Sequence, residues 1–356
     1  MNADALRDQI EAWNGQSVLV SHDEPSGTWI FIALHDLTLG PAVGGTRMKV
    51  YPEIEDGLRD ATRLAEGMTY KWASIDLPFG GGKAVLAIPR PFEGEERTAL
   101  LRRYGRILRS LGGMYSTGVD MGVTPEDMQI VAEEAPGSVK GASSDSSTDP
   151  GPFTALGVLV GIRATLRAAL GSDQIAGRTF LVQGVGDVGL PLARMLAEAG
   201  GTLLISDIDA DAAARVAEEL GGSVVSAEQT YEAECDVFVP CAIGGILNEE
   251  TIPSLRCRAI AGSANNQLGT LEDGERLHER GILYAPDYIV NGGGAIAFGR
   301  MSLGESDHDL LRDEVRTIET SLDEIFAEAA EAAESPLHAA IRHAHRALNR
   351  GRGAGG

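Results

Sequence analysis

Lysine is nearly missing from this chain. Four lysines stand against twenty-six arginines in 356 residues, and two of the four, Lys71 and Lys83, flank the segment Trp72-Ala-Ser-Ile-Asp-Leu-Pro-Phe-Gly-Gly-Gly. An ammonium can lose its proton at workable pH and a guanidinium cannot. A chain that uses arginine for almost every cation should keep lysine where arginine fails chemically, so two retained lysines suggest two chemical tasks. Cysteine is also scarce. Cys235, Cys241 and Cys257 are odd in number and lack the C-x-x-C spacing of a zinc or redox site, so they read as reduced core thiols. Positive charge is short overall: the formal charge of -22 at pH 7 opposes binding to nucleic acid or to anionic membrane. The N-terminus has no basic start followed by an apolar run, and no stretch is expected to reach the roughly 18 apolar residues of a membrane span. These absences predict a cytoplasmic protein with no nucleic-acid and no membrane partner. Among seven histidines, His343 and His345 are two apart and do not share a helix face, so no metal site is expected.

What is present points to two domains, since 356 residues exceed the roughly 100 to 200 that one domain holds. The 45 glycines are close to twice the usual share of about 7% and imply many tight turns and close backbone approaches. A leading helix precedes strand-like runs at Ser17-Val-Leu-Val and Trp29-Ile-Phe-Ile-Ala-Leu. The run from Gly137 to Pro152 is dense in Gly, Ser, Asp and Pro and reads as the connection between domains. Beyond it, short apolar strands at Thr179-Phe-Leu-Val-Gln, Thr202-Leu-Leu-Ile-Ser, Cys235-Asp-Val-Phe-Val-Pro and Ala259-Ile-Ala-Gly alternate with amphipathic helices. That pattern implies a parallel sheet covered on both faces. A long helix is expected from about Asp307 to Glu334, then a further helical stretch. The tail Arg350-Gly-Arg-Gly-Ala-Gly-Gly is expected to be too glycine-rich to order.

In the second half, Gly184-Val-Gly186-Asp187-Val188-Gly189 places G-x-G-x-x-G between a strand and a helical apolar pattern. The glycines permit the tight turn, the approach of backbone N–H groups to a pyrophosphate, and close helix–sheet packing, with the helix N-terminus facing the anion. A second strand ends at Asp207, eighteen residues after Gly189, where a carboxylate can accept from the adenosine ribose hydroxyls. Asp207 also repels a 2'-phosphate, and the nearest downstream arginine is Arg215, so NAD is favoured over NADP.

In the first half, Leu58, Ala61, Leu64, Ala65, Met68 and Trp72 form one apolar stripe at helical spacing, and Lys71 projects from that side. A buried ammonium is costly without a counter-charge, and Gly67 and Met68 at the i-4 and i-3 positions supply none. A bound anion such as a substrate carboxylate would. Lys83 follows Pro78-Phe-Gly-Gly-Gly, where a glycine-rich loop is expected to enter a strand. A second cation and partial desolvation there would favour the free amine that a general base requires. Lys49 and Lys140 lack such context and read as solvated. Thr117-Gly-Val-Asp120-Met-Gly brackets an acid with glycines, and Gly44-Gly45 offers consecutive backbone N–H groups.

Taken in order, the chain resembles the leucine, phenylalanine and valine dehydrogenases, relatives of glutamate dehydrogenase, over nearly its whole length. The resemblance rests on Leu39-Gly-Pro-Ala-Val-Gly-Gly-Thr-Arg-Met, Gly67-Met-Thr-Tyr-Lys71, Leu77-Pro-Phe-Gly-Gly-Gly-Lys83 and Thr117-Gly-Val-Asp120. It continues through Val182-Gln-Gly-Val-Gly-Asp-Val-Gly, Pro240-Cys-Ala, Ala261-Gly-Ser-Ala-Asn265-Asn-Gln and Tyr284-Ala-Pro-Asp-Tyr-Ile-Val-Asn291-Gly-Gly. It implies an α/β chain of two domains: an N-terminal mixed α/β substrate and oligomerisation domain over residues 1–150, and a Rossmann NAD-binding domain over 151–334, with the helices at about 335–356 packing back on the first. It implies oxidative deamination of an apolar L-amino acid to a 2-oxo acid and ammonia by a homo-oligomer that uses NAD.

By the same resemblance, Lys71 binds the substrate carboxylate, Lys83 activates the water that attacks the imine, and Asp120 shuttles protons with it. Gly44 and Gly45 line the substrate site, Thr154 and Asn265 touch the nicotinamide end with Cys241 and Ala242 nearby, and Asn291 stands near the reacting centre. The side-chain pocket is walled by Val43, Met68, Gly118, Ala295 and Phe298. None is charged, which argues against glutamate, whose distal carboxylate needs a cation. Leucine, valine and phenylalanine remain open, and the alternatives are a glutamate dehydrogenase or a non-catalytic NAD-binding regulator. Retention of Lys71, Lys83 and Asp120 together speaks against the regulator. The chain departs from the family at Gly292, where alanine is usual and a looser turn is expected, and in the region around Ser335-Pro336.

The two lysines should respond differently to arginine. Lys71→Arg is expected to keep part of the activity as a carboxylate clamp with a raised KM, whereas Lys83→Arg should abolish turnover. Initial rates of both variants decide, and an active Lys83→Arg enzyme would refute the general-base assignment.

Overall fold

The computed structural model describes residues 3–140 and 150–354, so part of the expected connection at 137–152 lies outside the described residues. The chain divides into two compact units, Met1–Thr148 with Ala344–Gly356, and Asp149–His343.

In the first unit, helix α1 (Ala3–Trp13) leads into the antiparallel pair β1 (Ser17–Asp23) and β2 (Thr28–Asp36). The short strands β3 (Ala42–Val43) and β4 (Thr46–Lys49) precede helix α2 (Ile54–Ser74) and strand β5 (Gly80–Ala87). Helix α3 (Gly94–Ser110), strand β6 (Tyr115–Ser116) and helix α4 (Pro125–Glu134) follow. The sheet runs β1-β2-β5-β3-β6, with β4 also paired to β5. Alternation along its strands separates two cores. Ile30, Ile32, Leu34, Ala84 and Leu86 pack with Leu100, Leu101, Tyr104 and Leu108 of α3 and with Met128 and Val131 of α4. Phe31, Ala33, Val85 and Ala87 pack on the other face with Trp13 of α1 and with Leu58, Ala61 and Ala65 of α2.

The expected glycine loop before Lys83 is instead part of the strand: Gly80, Gly81 and Gly82 lie in β5 and are buried. Close packing on both sides is the reason. A Cβ on Gly81 would stand 2.0 Å from Thr69 Oγ1 and 2.3 Å from the Thr69 backbone nitrogen, so only glycine lets α2 lie this near the strand. A Cβ on Gly82 would stand 2.8 Å from the Tyr115 ring. Positions 81, 83, 85 and 87 share the face that α2 covers, which directs Lys83 toward the helix carrying Lys71.

The second unit opens with helix α5 (Gly151–Leu170), followed by β7 (Thr179–Gln183), α6 (Gly189–Glu198), β8 (Thr202–Ser206), α7 (Ala210–Leu220) and β9 (Ser223–Val224). Strand β10 (Val237–Pro240), β11 (Ala259–Ile260), helix α8 (Leu271–Glu279), β12 (Leu283–Tyr284) and helices α9 (Asp287–Val290) and α10 (Gly293–Ser302) come next. The strands pair in parallel in the order β12-β11-β10-β7-β8-β9. This doubly wound sheet is the expected nucleotide-binding architecture. By length and composition α5 could cross a membrane, against the expectation that no stretch is long and apolar enough. Here it is apolar because much of it is buried, packed by α10 and by the later helix Thr317–Ala332.

Two expectations fail near the C-terminus. The helix expected over Asp307 to Glu334 is two helices, α11 (His308–Val315) and α12 (Thr317–Ala332), separated at Arg316. The tail expected not to order is instead helical as far as Ala354 within α13 (Pro336–Ala354), a helix assigned to the second unit up to His343 and to the first from Ala344. Tertiary contacts overcome the glycine penalty. Ala344, Ala347 and Leu348 pack with Ala73, Leu39 and Tyr70, and Arg352 Nη2 reaches Asp36 Oδ2 at 2.9 Å.

Because backbone atoms of α2 block any side chain at position 81, Gly81→Ala should destabilise the protein by about 1 to 3 kcal/mol or more. Thermal unfolding measures this, and an unchanged melting temperature would show that α2 can retreat without cost.

Candidate active site

In the first unit the two glycines joining β3 to β4 form the floor of a charged cluster. A Cβ on Gly44 would lie 1.7 Å from Gly82 O and 3.3 Å from Met68 Cγ. One on Gly45 would lie 2.8 Å from Asp120 Cβ and 3.4 Å from Lys83 Nζ. Side chains are therefore excluded where the turn backs onto the acid and the lysine. The Tyr115 hydroxyl donates to Gly44 O at 2.8 Å, and Trp72 Nε1 donates to Val43 O at 2.9 Å, fixing the turn from both sides. The expectation of consecutive free N–H groups needs correction at Gly44, whose N–H already donates to Ser116 O at 3.2 Å.

Lys83 is 6% exposed, and its Nζ lies 2.5 Å from Asp120 Oδ2. The direct partner identified for the lysine is thus a carboxylate, and a second cation, Arg47, reaches the same oxygen. Asp120 comes from the loop after β6, where Thr46 N–H donates to Gly118 O at 2.9 Å and Thr117 N–H donates to Ser138 O at 2.8 Å. Burial pushes the Asp120 carboxyl up, but the charges of Lys83 and Arg47, the Lys83 hydrogen bond and the Met121 N–H outweigh it and hold the group at about 2. Arg47 Nε lies 3.2 Å from the same Oδ2. Beneath this cluster, Thr46 Oγ1 bonds both Tyr104 OH and Thr117 Oγ1 at 2.6 Å, a buried hydroxyl network that gave no sequence signal.

Lys71 is half-buried in the last turn of α2, one residue before the buried Trp72. Met68 is half-buried, less than its place on the apolar stripe implied, while Thr69, not part of that stripe, is buried. Gly118 has limited room, since a Cβ there would meet Lys140 O at 3.2 Å.

The second unit places the glycine turn and Asp207, expected from sequence to meet a nucleotide, at the carboxyl ends of β7 and β8. Gly184 has a φ of 93° and would bring a Cβ to 2.8 Å from Ala242 Cβ, while a Cβ on Gly189 would lie 1.9 Å from Gly184 O. These two glycines are required by the protein itself. Gly186 is different: a Cβ there would meet nothing within 4 Å, so its lack of a side chain leaves open space beside the start of α6. That space suits a dinucleotide phosphate approaching backbone N–H groups. Asp187 and Val188 lie in the same turn, Val188 as the N-cap residue just before α6. Asp207 accepts from Val185 N–H through Oδ2 and from Asp209 N–H through Oδ1, each at 2.9 Å, which orients the carboxylate beside the glycine turn. Cys241 N–H donates to Gln183 O at 2.7 Å; the residue as a whole is half-buried at the turn, but burial of its thiol pushes that group up.

Asn291 donates through Nδ2 to Asn265 Oδ1 at 2.8 Å and to Ser263 O at 3.2 Å, while its buried Oδ1 finds no partner among the described residues. Gly292 has a φ of -65°, an ordinary helical value that does not call for glycine. Gly294 does: a Cβ there would lie 2.4 Å from Thr154 Oγ1. Ala295 and Phe298 are both half-buried on α10 and share a helix face, whereas Ile296 and Ala297 are buried.

Residues 21–136 match the family model of the Glu/Leu/Phe/Val dehydrogenase dimerisation domain, and residues 206–349 match that of Glutamate/Leucine/Phenylalanine/Valine dehydrogenase. The chain is 43% identical over 321 residues to a leucine dehydrogenase of Geobacillus stearothermophilus, covering 89% of this chain and 86% of that protein. It is 43% identical over 324 residues to a phenylalanine dehydrogenase of Lysinibacillus sphaericus, covering 89% and 84%. The crystal structure of L-tryptophan dehydrogenase from Nostoc punctiforme aligns with a TM-score of 0.83 at 39% identity, covering 98% of this chain and 99% of that one.

The lowered Asp120 carboxyl has a consequence for acid stability. Its folded value of about 2 lies below the ordinary 3.8, so its contribution is complete above about pH 4 and is lost as pH falls through about 2. The contribution should be on the order of 2 kcal/mol. Urea unfolding from pH 5 to 2 should therefore show wild type losing more stability than Asp120→Asn, and parallel curves would refute this.

Proposed function

Because the chain belongs to the Glu/Leu/Phe/Val dehydrogenase family, we propose that it is an NAD-dependent L-amino acid dehydrogenase for apolar substrates. The observation that carries the reading is the Lys83–Asp120 pair at 2.5 Å against the Gly44–Gly45 turn. A buried ammonium paired with a partly buried carboxylate can hold and move a proton at a reacting amine. The reaction is oxidative deamination. The amino acid loses hydride from Cα and a proton from nitrogen to give an imino acid, and water adds to give the 2-oxo acid and ammonia.

In this reading Lys71 binds the substrate carboxylate, and the Gly44–Gly45 turn lines the substrate beside it. Lys83, as the free amine, takes the proton from the water that attacks the imine carbon. Asp120 stays anionic while Lys83 is charged, so it orients the ammonium and accepts from the reacting nitrogen or water. NAD, when bound, supplies the hydride acceptor. Gly184, Gly186 and Gly189 would hold its pyrophosphate, Asp207 the adenosine ribose, and Thr154, Cys241, Ala242 and Asn265 the nicotinamide end. Asn291 stands beside Asn265. The choice of NAD over NADP rests on Asp207, a fixed anion where a 2'-phosphate would otherwise sit. The residues proposed to recognise the substrate side chain, Met68, Gly118, Ala295 and Phe298, carry no charge, which favours apolar substrates over glutamate. The unit containing residues 21–136 serves for assembly into a homo-oligomer.

Initial-rate coenzyme reduction across leucine, valine, isoleucine, phenylalanine, tryptophan and glutamate tests the proposal. Turnover of apolar amino acids with NAD, little with NADP, and loss of at least about 100-fold in Lys83→Ala are expected. Preferential oxidation of glutamate, or coenzyme binding without reduction by any of these amino acids, would overturn it.

A further inference from the structure

Asp120 is gripped from a second side by a residue outside the acid–base pair. Arg47 lies on β4, in register with Val85 of β5, and therefore shares the sheet face that carries Lys83 two residues earlier. Its side chain is 13% exposed and bridges two carboxylates: Nε to Asp120 Oδ2 at 3.2 Å and Nη1 to Asp60 Oδ2 at 2.9 Å. Asp60, on α2 and 12% exposed, is itself fixed by Tyr51 OH at 2.7 Å and Arg63 Nη2 at 3.2 Å. Resting on the reading of Lys83 and Asp120 as the proton-handling pair, we propose that Arg47 is a positioning residue: seated by Asp60, it fixes the Asp120 carboxylate against Lys83 Nζ.

The chemistry of the side chains supports this. Lys83 and Arg47 meet the same carboxylate oxygen, so Asp120 cannot turn that oxygen away from the lysine without breaking two charged bonds. Arginine suits the task because its rigid fork serves two carboxylates at once, whereas lysine offers a point charge on a flexible stem. Asp60 holds the fork at the far end, and the partly buried setting strengthens both bonds. The Arg47 charge also helps to hold the Asp120 carboxyl low. Neither Arg47 nor Asp60 needs to touch substrate for the pair to matter, since misplacing a catalytic group by about 1 Å can cost about 100-fold.

The test uses the full-length enzyme with NAD and its best amino-acid substrate. Arg47→Ala should lower kcat roughly 10- to 100-fold with substrate KM within about twofold, and added guanidinium ion should restore several-fold of the loss. Asp60→Asn should lower kcat by a smaller factor that guanidinium does not restore, because Arg47 is still present. If Arg47→Ala does not fold, Arg47→Lys carries the test: its kcat should fall several-fold, and wild-type kcat would overturn the proposal. So would unchanged kcat in Arg47→Ala, or a loss expressed in KM that guanidinium does not relieve. Lys83→Ala separates the two readings. If it retains full activity, the underlying acid–base assignment fails; if it is inactive while Arg47→Ala is fully active, only the positioning role falls.

Discussion

An ammonium 6% exposed cannot remain charged inside a protein without a counter-charge, and much of the first unit is arranged around satisfying that one group. Asp120 supplies the anion at 2.5 Å, but it too is partly buried and draws in Arg47, which in turn draws in Asp60 and Tyr51. Each charge in this chain is tolerable because the next one is present. The glycines at 44, 45, 81 and 82 are the steric counterpart, since side chains there would strike neighbouring backbone, the Tyr115 ring or the charged groups themselves. Electrostatics and packing thus converge on the same few residues.

The second unit is organised by a different constraint. Two glycines, at 184 and 189, are demanded by the protein's own backbone, while Gly186 faces open space. That contrast distinguishes a structural turn from a binding turn, and it supports a nucleotide reading from geometry and not from the motif alone. Asp207 is held by two backbone N–H groups as a turn residue, and the ribose contact proposed for it does not conflict with that, because a carboxylate has lone pairs for both.

Much of this was legible in the chain. The parallel sheet appeared as short apolar strands between helices, and β7 and β8 fall at Thr179–Gln183 and Thr202–Ser206 as the pattern predicted. Lysine scarcity singled out Lys83 because composition made its retention improbable by chance. The glycine run before it was misread as a loop, since glycine marks both turns and close approaches and only the position of α2 distinguishes them. The C-terminal glycines were misread for a related reason: local propensity opposes a helix there, but packing of Ala347 and Leu348 and the Arg352–Asp36 pair supports one.

The sequence by itself determined which residue types are available, their order along the chain, and the alternation that assigns each to a face. Those are local properties, and they sufficed to nominate Lys71, Lys83, Asp120 and the glycine turn of the second half. Only the tertiary structure decided who meets whom. Asp120 stands 37 positions from Lys83, and Arg47 stands 73 from Asp120, yet one carboxylate oxygen joins all three. No spacing rule connects such positions, because the parallel pairing of β4 with β5 and the path of the loop after β6 bring them together. The lysine's partner therefore proved to be an anion held by an arginine, which sequence periodicity had no means to express.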